Sequence, residues 1–226
     1  YWDTPYLFKQ LKEGLLAFKQ GGYGELDAFG IDTWGVDFGL IDEFGCLLEN
    51  PVHYRDARTV GLIEECAKTV PNEEFYGATG IQFMELNTIF QLLALKKERP
   101  HMLERTDKML FMPDLFAYML TGEKNTEYSI ATTSQMIDLE TNFWSGELLD
   151  KLGIRKDIFA PIVKSGTKVG FLSKEICEEC GVPSVPVIAV CEHDTQSAIS
   201  AVPCPEGEFA FISSGTWSLF GTETDT

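Results

Sequence analysis

The chain has 226 residues, 44% of them hydrophobic and 12% aromatic, which is enough for a large core in one or two domains. Its formal net charge is −17 and it carries no cluster of Lys or Arg, which argues against nucleic-acid binding and against docking on an anionic membrane surface. No apolar run approaches membrane-span length, no signal peptide is visible, and the six cysteines are scattered, so the expected setting is cytoplasmic with reduced thiols.

Asp3 or Thr4 can cap a first helix whose opening turn holds Pro5; Leu7, Leu11, Leu15 and Phe18 share one face, and Gly21-Gly22 end it. Residues 26–32 (LDAFGID) read as a buried strand. Residues 36–42 (VDFGLID) read as a second, joined by an Asp-Glu-Phe-Gly turn to CLLE as a hairpin. A loop rich in functional side chains, PVHYRDART, fills 51–59. Helices are predicted at about 60–69 and 73–79. A strong one follows over 87–100, with Asn87 as its cap and Pro100 just past a basic last turn. Then come a short strand (MLFM), a helix over 113–122 opened by Pro and closed by Gly, and a hydroxyl-rich helical stretch, TEYSIATTSQM. Short helices are expected at 145–153 and 173–181, a strand from 185, a helix from Asp194 or Thr195, and a hairpin from 208. Strands alternating with helices predict an α/β fold.

The apolar run Val185 to Val190 suits a strand buried on both faces of a parallel sheet, and it stops at the polar sequence Cys-Glu-His-Asp-Thr. Ligand sites in open α/β sheets lie where such strands end. Asp194 is thereby a candidate general base, since an ordinary Asp is ionised at neutral pH and can take a hydroxyl proton within hydrogen-bond reach; equally, it is a good helix cap. His193 is either a ligand contact or a buried imidazole, and Thr195 either a helix-start residue or a ligand contact. The turn Ser213 to Trp217 (SSGTW) can present backbone N–H groups to phosphate, or can simply turn a hairpin. A carboxylate and such a turn close together suggest phosphoryl transfer to a hydroxyl.

In IDTWGVDF, Asp32 and Asp37 are five apart and so on opposite faces of a regular strand, which argues against a paired-carboxylate glycosidase site. Gly35 marks either a close approach to the backbone or a β-bulge. Asp56 and Arg58 are polyol contacts or a solvated ion pair. The Cys177-x-x-Cys180 spacing lacks both a second metal-ligand pair and a redox context, and reads as coincidence. No P-loop, dinucleotide-binding fingerprint or nucleophile elbow is present.

Taken together and in order, FGIDTWGVDFGLID, PVHYRDART, GIQFMELNTIFQL, FMPDLFAYMLTG with ATTSQ, EHDTQSAI and SSGTWSL closely resemble the rhamnulokinase branch of the FGGY carbohydrate kinases. The resemblance implies an actin-like (ribonuclease H-like) ATPase fold, a mixed sheet flanked by helices. It divides the chain into most of a sugar-binding first domain (1–195) and the start of an ATP-binding second domain (196–226). It further implies transfer of phosphate from ATP, with Mg²⁺ carried by the nucleotide, to the 1-hydroxyl of L-rhamnulose. By that resemblance Asp194 is the catalytic base, and His193, Thr195 and Gly35 contact the sugar. Tyr54 stands where related pentulose kinases carry a Trp near the sugar, and Thr216 contacts ATP. The partners expected are a small ketose and ATP, with no nucleic acid, no membrane and no metal ligand on the chain. The family's phosphate-gripping hairpin would precede Tyr1 and most of its second domain would follow Thr226, so the 226 residues alone are expected to lack kinase activity. Open alternatives are a kinase for L-fuculose or a pentulose, a non-catalytic sugar-binding module, and an actin-like ATPase of chaperone or filament type.

Overall fold

A computed structural model describes residues 1–204, 209–215 and 217–223. Helix α1 (Thr4–Gly21) opens as its sequence requires: the Asp3 carboxylate accepts the Tyr6 N–H at 3.0 Å, Pro5 lies in the first turn, and Gly22 ends it in the left-handed conformation (φ 68°). After β1 (Phe38–Ile41) come a 3₁₀ turn (Ala57–Thr59), α2 (Leu62–Cys66), α3 (Asn72–Thr79), α4 (Thr88–Glu98) and α5 (Pro100–Arg105). Next are β2 (Lys108–Phe111), α6 (Met112–Thr121), β3 (Thr126–Glu127), α7 (Tyr128–Thr132) and α8 (Gly146–Leu152). The chain continues through β4 (Ile162–Val163), β5 (Thr167–Phe171), α9 (Lys174–Cys180), β6 (Pro186–Ala189) and α10 (Asp194–Ser200), then the hairpin β7 (Ala210–Ser214) and β8 (Ser218–Thr222).

The described strands form four two-stranded sheets. Strand β1 pairs antiparallel with β2, β3 parallel with β4, β5 antiparallel with β6, and β7 antiparallel with β8. Isolated bridges add single rungs from outside these strands, including Phe29 to Val187 and Thr33 to His193, both parallel. The chain is thus of mixed α/β class, with parallel and antiparallel pairing. The expected strand over 26–32 is reduced to the Phe29 rung, whose N–H donates to Pro186 O and whose carbonyl accepts from Ile188 N. The strand expected from 36 begins only at Phe38, because Val36 has φ 67°, outside the β region. Its hairpin does form: Leu48 N–H donates to Leu40 O, and Gly45 turns the corner at φ 84°. Strand β6 is not buried on both faces. Val187 and Ala189 are buried, whereas Pro186 and Ile188 are half-buried, and one neighbour is antiparallel.

Among the described residues three apolar clusters hold the fold, the smallest around Ile41, Leu110, Leu115 and Ala160. The largest gathers α4, β1, β2, α7 and α8 around Phe38, Ile89, Phe90, Leu92, Met109, Phe111 and Ile130. Fully burying one such side chain contributes roughly 1.5–3 kcal/mol. The second packs α1 and α9 on β5 and β6 through Leu15, Val169, Leu172, Ile176, Cys180 and Val187. The Thr33–His193 bridge joins the segment that feeds β1 in the first cluster to the segment that leaves β6 in the second. Among the described residues no helix is long and apolar enough to cross a membrane.

Candidate active site

The end of β6 delivers Glu192, His193 and Asp194. Thr33 N–H donates to Glu192 O (2.9 Å) and Asp194 N–H to Thr33 O (2.8 Å), so the acidic end of this strand is laced to the segment 33–37. Helix α10 starts at Asp194, with His193 in the cap position and no side-chain cap bond. The Asp194 side chain, at the first helical position, is 57% exposed. It accepts from Thr195 N (2.6 Å) and Thr195 Oγ1 (3.3 Å), and it lies 3.5 Å from His193 Nε2. The half-buried His193 imidazole is pushed below its ordinary pKa by burial, against the pull of Asp194 and Glu127, which favours the neutral ring at neutral pH.

Segment 33–37 is held in an unusual path. Val36 is β-branched yet left-handed, a conformation that persists only where its surroundings fix it. Its N–H donates to Thr133 Oγ1 (3.0 Å) and its carbonyl accepts from Thr88 Oγ1 (2.7 Å) and Gln91 Nε2 (3.2 Å). Thr133 also explains Gly35: a Cβ there would lie 2.9 Å from Thr133 Cγ2 and 3.1 Å from its Cβ and Oγ1. The close approach foreseen at Gly35 is made by the protein itself.

Asp37, 1% exposed, anchors an aromatic wall. Its Oδ2 accepts from Trp2 Nε1 (2.6 Å), Trp34 Nε1 (3.0 Å) and Tyr54 N (3.3 Å), and its Oδ1 from Gln91 Nε2 (3.3 Å). Burial raises its pKa, and the bonds from Trp2, Trp34, Gln91 and Tyr54 oppose that rise. The Trp2 ring lies 4.1 Å from Trp34 and 4.5 Å from His53, which stacks 4.5 Å from Tyr54. Such a wall offers apolar ring faces beside polar edges, as a polyhydroxylated ligand requires.

The ion pair expected between Asp56 and Arg58 does not form. The Asp56 carboxylate caps the 3₁₀ turn by accepting Arg58 N–H (3.0 Å), while the Arg58 guanidinium turns inward and donates to Gln91 Oε1 (2.7 Å). Asn87 does not cap α4 with its side chain; its amide donates to Gln82 O and Gln135 Oε1. Cys177 and Cys180 are free thiols late in α9, and Cys180 is buried. Thr216 lies outside the described residues.

The structure thus brings His193, Asp194 and Thr195 to one strand end, laced to the segment that carries Gly35 and, through Asp37, to Tyr54. Sequence reasoning missed Trp2, Trp34, Gln91 and Thr133. A lone Gln within the otherwise apolar stretch of α4 was the readable signal for Gln91.

A family model, the N-terminal domain of the FGGY family of carbohydrate kinases, matches residues 22–200. The chain belongs to the FGGY family. A rhamnulokinase of Bacteroides thetaiotaomicron is 45% identical over 225 residues, covering 100% of this chain and 46% of that protein. One from Ligilactobacillus salivarius is 41% identical over 222 residues, covering 98% and 45%. The chain therefore spans about half the length of the curated relatives it matches. Among solved structures, a carbohydrate kinase from Novosphingobium aromaticivorans superposes with TM-score 0.84 at 22% identity, over 99% of this chain and 48% of that one. A ligand-bound xylulose kinase from Lactobacillus acidophilus gives 0.78 at 21%, over 83% and 39%. The FGGY chain thus has the fold of the sugar kinases, the actin-like ATPase class expected from the sequence.

Proposed function

We propose that this FGGY chain supplies the sugar-binding part of an ATP-dependent rhamnulokinase, which transfers the γ-phosphate to the 1-hydroxyl of L-rhamnulose. The observation that carries the reading is Asp194: a half-exposed carboxylate just past the end of β6, beside a His and laced through its backbone to an aromatic-walled segment. Identity of 45% to a rhamnulokinase supports the choice of sugar.

In this reading Asp194 accepts the proton of the attacking hydroxyl, and Thr195, bonded to its Oδ1, orients it. His193, neutral and half-buried, fixes a second sugar hydroxyl. Gly35 and Tyr54 line the sugar's other side. Thr216 is assigned to ATP, within a second domain taken to start at 196. Mg²⁺ is expected with the nucleotide phosphates, where it offsets the charge of the transferred group. Positioning and electrostatics do most of the work in such a transfer, and closure of the two domains keeps water from competing as acceptor.

The test is ADP release by a protein of the relatives' length carrying this sequence, across L-rhamnulose, L-fuculose, L-xylulose, D-xylulose and a blank. Preference for L-rhamnulose is expected. Preference for another ketose would change the substrate, and sugar-independent turnover would overturn the kinase reading.

A further inference from the structure

Against the strand end that carries Asp194 lies a buried side chain that the chemistry above does not use. Glu127, at the junction of β3 and α7, is fully buried. Its Oε2 accepts from Ser129 Oγ (2.5 Å), Ile130 N (3.1 Å) and Glu192 N (3.3 Å), and its Oε1 from Ser165 Oγ (2.6 Å). Ser129 Oγ in turn accepts the His193 N–H at 3.3 Å. Two consecutive backbone amides of the strand end, at 192 and 193, therefore hang on one carboxylate, the second through Ser129. The next amide, that of Asp194, is held from the other side by Thr33 O.

Glu127 thus collects four hydrogen bonds. Its neighbours Asp114 and Glu192 present buried oxygens, Oδ2 and Oε2, that no donor reaches, so one proton between those two carboxyls satisfies both. Burial and the other acids raise both of their pKa values, Glu192 to about 11. The shared proton thus resides on that pair.

We infer that Glu127 and Ser129 are positioning residues for the phosphoryl transfer, clamping the backbone of 192–193 so that Asp194 meets the sugar hydroxyl at the right distance. The inference rests on the reading of Asp194 as the base. A displacement of about 1 Å at a reacting group can lower a rate by orders of magnitude while leaving substrate affinity nearly intact.

Removing Glu127 altogether would strand several buried donors and could abolish folding, so the decisive variants are Ser129→Ala and Ser165→Ala. Both hydroxyls donate to the same carboxylate at nearly equal distance, but only Ser129 passes the contact on to His193. In the 226-residue chain, hydrogen exchange at the His193 amide should be about tenfold faster in Ser129→Ala than in Ser165→Ala. In a protein of the relatives' length, Ser129→Ala should lower kcat about tenfold with the ketose KM within about twofold, and Ser165→Ala should leave both within about twofold. Equal kcat losses in the two variants, or a Ser129→Ala enzyme with unchanged kcat, would overturn the positioning role. Asp194→Asn is measured alongside: if it keeps its kcat, the base reading itself fails, whereas a dead Asp194→Asn with a fully active Ser129→Ala removes only the clamp.

Discussion

Asp37 and Glu192 are both buried, 1% and 3% exposed, and each lies under one side of the candidate site. Around Asp37 the sequence supplies donors: two indole N–H groups, a backbone N–H and an amide converge on it. Around Glu192 it supplies acceptors: Asp114 and Glu127 face it, and the arrangement closes only with a shared proton. A buried carboxylate is tolerated either by collecting donors or by giving up its charge. The aromatic side of the site takes the first route and the Asp194 side the second, so the two sides should respond differently to mutation and to pH.

The largest stability effect is expected on the donor-rich side. Asp37→Ala strands two indole N–H groups and should lower the unfolding free energy by about 3 kcal/mol, read from urea denaturation. Next is Glu192→Gln, which sharpens the contrast through pH. A carboxyl whose folded pKa is raised contributes stability that is fully present below its unfolded pKa and is lost as pH rises toward the folded value. For Glu192 that window runs from the ordinary carboxylate range up to about 11, with a slope of at most roughly 1.4 kcal/mol per pH unit per proton. Glu192→Gln lacks this proton, so its stability should fall less between pH 6 and 8 than the wild type's, by about 1 kcal/mol or more. Parallel curves for the two proteins would show that no proton is shared.

Gly35→Ala should cost about 1–2 kcal/mol through the contact with Thr133, and Thr133→Ser, which removes the nearest atom, should restore part of it in a double-mutant cycle. The smallest effect is Asp56→Ala. Loss of the 3₁₀ cap should cost about 0.5–1 kcal/mol with no change in ketose KM; a large rise in KM would return Asp56 to the sugar contacts.

The two sides were not equally legible in the sequence. Periodicity and capping residues located α1, α4, α6, α9 and α10 closely, because a helix is decided by local spacing and by ends such as Asp3, Gly22 and Gly122. Strands were read less well. Residues 26–32 have the composition of a strand but meet a partner only at Phe29, and pairing is a tertiary fact. Asp194, His193 and Thr195 were visible as a polar break after an apolar run. The aromatic wall was not, since Trp2, Trp34 and Tyr54 meet only through Asp37, and the largest separation among them spans 52 residues of chain. Glu127 gave no signal at all: its role depends on donors from α7, the β6 end and Ser165, which no local pattern brings together.

The most direct test of the account is L-rhamnulose-dependent ADP formation by a protein of the relatives' length, wild type against Asp194→Asn. The account predicts kcat lower by about 10²–10⁴-fold with the sugar KM changed by no more than a few-fold, the signature of a lost general base. An Asp194→Asn protein that turns over L-rhamnulose at the wild-type rate would contradict it.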